Sequence, residues 1–269
     1  MQKKKFSLLI ALMMFTLSAS SQCPLVNKAF TSGEFLSYNL YYNWKFVWVK
    51  VGTASLSTVL TKYDGQQAYK SSLLTRGNGK LDKFFVMRDT LLGYVTPSLS
   101  PLYFRKGAVE GKRYRVDEVW YSYKNGKCKV KMHRQKSDGS HIRSEKTSEQ
   151  CVYDMLNIFT RARNFDPAGW KKGHTVKIPV ADGNGMTVAI LKYEGKEKVQ
   201  GDNGVKYNCM KLAYSEWEEK NSKYRQYATF FVTDDDNHIP VRIDITLNFG
   251  IAKAFVTSMK GIKNKAATL

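Results

Sequence analysis

The 269-residue chain carries 43 lysines and arginines against 23 acids, a net charge of +20. That excess raises the local concentration of anionic partners such as lipid head groups or acidic polysaccharide. No run beyond the N-terminus reaches the ~18 apolar residues of a membrane helix, and no nucleic-acid-binding signature occurs, so nucleic acid is not an expected partner.

The first element is a targeting segment. Lys3, Lys4 and Lys5 precede an apolar stretch, Phe6 to Leu17, followed by Ser18, Ala19, Ser20 and Ser21. A basic region, a short apolar region and small residues make a secretory signal peptide over residues 1–21, with cleavage before Gln22. Gln22 is too bulky for the position before a lipidated cysteine, so Cys23 reads as an ordinary cysteine of an exported protein. Residues 22–269 are long enough for one β-rich domain.

Alternation then dominates. Residues 34–43 place Phe35, Tyr38, Leu40 and Tyr42 among polar neighbours. Over 42–51 the alternation is stricter, with Tyr42, Trp44, Phe46 and Trp48 expected on one strand face and Val47, Val49 and Val51 on the other. Further strand-like runs are 66–76, 84–95, 113–124, 126–134, 139–147, 174–180, 185–193, 205–217, 224–234, 238–247 and 251–260. The connectors Asp64-Gly65, Asn125-Gly126, Asp138-Gly139 and Asp202-Asn203-Gly204 are hairpin turns by composition. Successive hairpins build a meander rather than βαβ units. One segment differs: in 151–163, Val152, Met155, Leu156, Phe159 and Ala162 recur at helical spacing, which predicts a helix of about three turns. Ser148 is its candidate cap. The expected fold is all-β (mostly): a strongly curved antiparallel sheet or open β-barrel with one α-helix near residues 151–163.

The chemistry-bearing residues are sparse. No nucleophile elbow and no phosphate-cradling glycine loop occur. His133, His141, His174 and His238 are isolated in sequence, without the close pairs of a local zinc site. Asp234-Asp235-Asp236-Asn237 lacks the spacing of a calcium loop and reads as a hairpin turn. No cofactor and no metal is therefore expected. The four cysteines, Cys23, Cys128, Cys151 and Cys209, allow three full pairings, and an oxidising compartment predicts at least one disulfide.

The ring series Tyr42, Trp44, Phe46 and Trp48 is the candidate ligand-binding surface, a flat apolar area suited to an acyl chain or to sugar rings. Core packing is the alternative use of the same rings.

Three stretches, GEFLSYNLYYNWKFVWVKVGTASL at 33–56, CVYDMLNIFTRARNFDPAGW at 151–170 and TDDDNHIPVRIDITLNFGIAKAF at 233–255, together resemble the exported domain-of-unknown-function family 3108 of Gram-negative envelopes. The resemblance covers essentially the whole mature chain. It implies an antiparallel β-rich protein, periplasmic or outer-membrane associated, and supplies no activity or catalytic residue. The leading functional expectation is a non-enzymatic binding protein for a lipid-like or glycan ligand, with an anionic envelope surface as a partner. A polysaccharide or ester hydrolase and a structural partner at the outer membrane are the alternatives.

Overall fold

The computed structural model describes residues 23–269 except 45–46, 80–86, 112 and 248–249; the expected signal peptide lies outside these residues. Alternation and turn chemistry produce the strands they predict, and the structure adds a strand over Pro101–Glu110 that none of the expected runs covers. The first eight are β1 (Glu34–Trp44), β2 (Val47–Tyr63), β3 (Gln66–Gly77), β4 (Met87–Val95), β5 (Pro101–Glu110), β6 (Arg113–Lys124), β7 (Lys127–Gln135) and β8 (His141–Ser148). After the helix α1 (Asn157–Ala162) come β9 (Thr175–Ala181), β10 (Met186–Gln200), β11 (Lys206–Glu218), β12 (Lys223–Thr233), β13 (Pro240–Thr246) and β14 (Ile251–Lys260). At the β6–β7 hairpin Asn125 takes φ 51°, the left-handed conformation that a tight two-residue turn demands.

All fourteen strands form one antiparallel sheet in the order β8-β7-β6-β5-β4-β3-β2-β1-β14-β13-β12-β11-β10-β9. The chain runs as a meander to β8, crosses to the far edge at β9, and meanders back until β14 pairs with β1. The fold is thus an open, barrel-like antiparallel sheet. Its two edges are consecutive in sequence, and the connection 149–174 joins them. Every odd-to-even hairpin tip lies at one end of the sheet, and every even-to-odd turn lies at the other.

Side chains of Leu36, Phe104, Val119, Val130, Val241 and Val256 are fully or almost fully buried and fill the inside. The edges β8 and β9 do not pair with each other. Side chains close the seam instead. Arg134 on β7 reaches Asp117 of β6 at 2.5 Å and Asp182, just past β9, at 2.9 Å. A Cβ at Gly183 would collide with the His133 carbonyl and with Asp117, so the β9–β10 tip seats against β6–β7 only because residue 183 is glycine.

The helix is shorter than the 151–163 expected from spacing. Residues 151–154 are extended: the Tyr153 N–H donates to the Pro179 carbonyl at 3.0 Å, and the Ala181 N–H donates to the Tyr153 carbonyl at 2.7 Å. This places Tyr153 in a parallel bridge to Val180. Asp154 then turns the chain, its Oδ1 accepting the N–H groups of Leu156 and Asn157 at 3.0 and 2.9 Å. Ser148 does not cap the helix; it ends β8 and accepts the Gln150 N–H.

The series 42–51 is also not one strand. Trp44 pairs with Val47, Asn43 with Trp48 and Tyr42 with Val49. Directly paired residues share a face, so Trp48 stands on the face of Asn43, opposite Tyr42. Cys23 and Cys151 form the expected disulfide, while Cys128 and Cys209 are buried thiols.

Candidate functional site

The curved sheet and the crossing segment enclose a cavity of about 830 Å³. Alternation supplies its wall, because every second residue of a curved strand points inward. Leu40, Leu56 and Leu73 come from β1–β3, and Leu191, Leu212, Phe230 and Ile243 from β10–β13. Leu156, Phe159 and Ala162 line it from the crossing segment. The segment lies close to the sheet at β4, where a Cβ on Gly93 would stand 2.7 Å from Asn157 Oδ1. Asp154 fastens it further: its Oδ2 accepts the Tyr121 hydroxyl at 3.0 Å.

Polar groups lie at the two ends of the cavity. At the inner end the Arg163 guanidinium donates to both oxygens of Glu34, at 2.6 and 2.8 Å, with both side chains at most 3% exposed. The same guanidinium reaches the carbonyls of Asn237 at 2.8 Å and Ala29 at 3.3 Å. His238 Nδ1 donates to the Arg163 carbonyl at 2.6 Å. These contacts use Glu34 and His238 to hold the segment.

Tyr38 lies beside this pair and lines the cavity. It is 5% exposed, and no group among the described residues bonds its hydroxyl. Burial raises its pKa well above the ordinary tyrosine range, so it stays a neutral phenol. At the open end the lining residues Ile245, Thr246 and Leu247 are exposed, with Arg115, Glu216 and Arg225 beside them. Burial raises the Glu216 carboxyl, although the Tyr214 hydroxyl donates to it at 2.6 Å.

The sequence-selected rings fall elsewhere. Tyr42 is half-buried and Trp48 is exposed, with the Lys253 ammonium 4.3 Å from its ring centre. Phe46 and the side chain of Trp44 lie outside the described residues. Tyr42 and Trp48 stand on opposite faces of the sheet, because β1 and β2 run antiparallel and Trp48 pairs with Asn43. The concave apolar surface takes its residues from nine strands and the crossing segment.

The structure also joins residues that looked isolated. On the outer face His133 Nδ1 lies 2.9 Å from Glu118 Oε2, and His133 Nε2 lies 2.8 Å from His141 Nδ1. Tyr103 donates to Glu118 Oε1 at 2.6 Å. Burial pushes the Glu118 carboxyl up, but the hydrogen bonds from Tyr103 and His133 outweigh it and hold the pKa below the usual range. The signal was available: the two histidines are eight residues apart across the Asp138-Gly139 turn. The Asp234–Asp236 turn is as expected, with Asp235 accepting the Thr233 hydroxyl and the Ala267 N–H. Among the described residues no group of three or more His, Cys, Asp or Glu is placed to hold a metal.

A solved structure titled as a beta-barrel-like protein of domain of unknown function DUF1849 from Brucella abortus is similar in fold. It has a TM-score of 0.56 and 12% identity, over 88% of this chain and 100% of that one. A putative lipoprotein from Parabacteroides distasonis aligns over 88% of this chain and 99% of its own, with 10% identity and a TM-score of 0.35. No curated protein matches. The family described as "Protein of unknown function (DUF3108)" matches residues 37–257, and the chain belongs to that family.

Proposed function

We propose that this protein is an exported, non-enzymatic carrier that holds a lipid-like acyl ligand inside its sheet, with residues 22–269 acting as one β-rich domain. The observation that carries the reading is the cavity of about 830 Å³ walled by leucine, isoleucine and phenylalanine side chains. Its volume falls in the range of ~300–1,000 Å³ typical of small-molecule sites. Placing an acyl chain there removes apolar surface from water on both partners. A sugar is the poorer fit, since its hydroxyls would be desolvated against a wall with few hydrogen-bonding groups. A hydrolase is also the poorer fit: Glu34 and His238, buried at the inner end, are tied to Arg163, and the Tyr38 phenol beside them stays neutral. The Cys23–Cys151 disulfide supports export, because such bonds persist in oxidising compartments.

The test is native mass spectrometry of protein from the exported fraction of producing cells, paired with binding of the fluorescent fatty acid cis-parinaric acid. A co-purifying acyl species and saturable probe binding are expected. Leu212→Trp, which fills the cavity from the wall, should abolish probe binding while leaving the β-sheet circular dichroism unchanged. A wild-type protein that binds no acyl probe and carries no ligand overturns the proposal.

A further inference from the structure

Among the described residues, most exposed apolar side chains at the odd-to-even end of the sheet lie on three adjacent hairpins, with Tyr114 at the β5–β6 tip and Val188 on β10 exposed there as well. The sheet order β2-β1-β14-β13-β12-β11 makes the β1–β2, β13–β14 and β11–β12 tips neighbours. Val47, Trp48 and Val49 are exposed at the first tip, and Val47 is 62% accessible. At the third, Trp217 and Tyr224 pair across the strands with rings 5.2 Å apart, and both remain exposed. Between them, Leu247 and Ile251 are exposed at the β13–β14 tip. Leu247 also lines the cavity, so this lip is the cavity's mouth.

Lysines flank the same lip. Lys50 is exposed on β2, Lys253 sits over the Trp48 ring, and Lys220 and Lys223 are exposed at the β11–β12 tip. The acids nearby are Glu216, which accepts the Tyr214 hydroxyl, Glu218, paired with Arg225 at 3.3 Å, Glu219, and Asp244, paired with Arg242. Exposed tryptophan and tyrosine with lysine at one pole match the membrane–water interface, where amphipathic rings sit at head-group level and basic residues meet anionic lipid.

We propose that this lip docks on an anionic lipid bilayer, so that the cavity mouth opens directly onto the membrane. Taken with the carrier reading, on which its purpose rests, the docking gives an acyl ligand a route between bilayer and cavity without crossing water.

Cosedimentation of the full-length exported protein with phosphatidylcholine vesicles, with and without phosphatidylglycerol, tests it. Binding to the anionic vesicles and its loss at high salt are expected. Lys220→Gln and Lys223→Gln should each weaken that binding about fivefold, the effect of one basic residue at an anionic surface. Trp48→Ser should weaken it further. These residues are outside the cavity wall, so melting temperature and cis-parinaric acid binding should be unchanged, which shows that the variants fold. Equal binding to both vesicles, binding to neither, or lysine variants that bind as wild type overturns the docking proposal. A wild-type dimer in analytical ultracentrifugation that Trp48→Ser dissociates also overturns it, by making the lip a self-association surface. Vesicle binding without probe binding defeats the carrier reading alone, and probe binding without vesicle binding defeats the docking alone.

Discussion

Arg163, just past the end of α1, forks onto both carboxylate oxygens of Glu34, the first residue of β1, from 129 positions along the chain. The pair pins the crossing segment to the sheet at the inner end of the cavity. Breaking it leaves an uncompensated buried charge. Glu34→Gln or Arg163→Met alone should cost about 3–5 kcal/mol. Replacing both together should cost far less than the sum of the two, as a double-mutant cycle in urea will read. Additive single costs would show that the pair does not act as a unit.

Tyr38 presents the opposite case. Its buried hydroxyl has no partner among the described residues, and such a group costs roughly 1–3 kcal/mol of desolvation. Tyr38→Phe keeps the ring and removes the oxygen. The unliganded variant should therefore be as stable as wild type or more stable by about 1 kcal/mol. A lower melting temperature would mean that the hydroxyl has a partner in solution.

The Cys23–Cys151 bond ties the N-terminal arm to the start of the crossing segment across a sequence separation of 128. Closing a loop of that length stabilises by roughly 2–5 kcal/mol. Cys23→Ser/Cys151→Ser should lower the urea midpoint accordingly. Thiol titration of denatured, unreduced wild type should find only Cys128 and Cys209 free.

Asp154 gives the fold a pH dependence. Complete burial raises its pKa to about 6, against the hydrogen bonds from Asn157, Tyr121 and Leu156 that favour the charged form. The unfolded value is about 3.9. Between these values the folded state holds the proton more tightly, so this residue's contribution to stability falls as pH rises from about 4 to 6. Two units correspond to about 3 kcal/mol. Unfolding free energies from pH 4 to 7 should show this slope in wild type and its absence in Asp154→Asn. Identical pH profiles would refute the assignment.

Much of the architecture is legible in the sequence because strands and hairpins are local. Period-two patterns and turns such as Asn125-Gly126 specify the meander and the antiparallel class without distant contacts. Two local readings fail for identifiable reasons. No Gly, Asn or Asp marks Lys45-Phe46, so the alternation of 42–51 reads as one strand. The helical spacing of Val152 and Met155 belongs partly to an extended segment, because Tyr153 pairs with the β9 edge. The cavity is not legible at all. Its wall takes single residues from many strands, and its inner end depends on Glu34 meeting Arg163, a contact that no local pattern encodes.

The seam between β8 and β9 has a mechanical consequence. In a closed barrel the strand number and stagger fix the girth, and widening it would break a backbone ladder. Here the circumference is fastened by side chains, Arg134 to Asp182 and Asp154 to Tyr121. Widening the sheet at this seam would strain those side-chain contacts while the ladders within the sheet stay intact, since the segment after β8 pairs with the β9 edge only through the short Tyr153–Val180 bridge. In the carrier reading proposed above, a bore set at the scale of a side-chain contact would let one wall grip acyl ligands of different thickness.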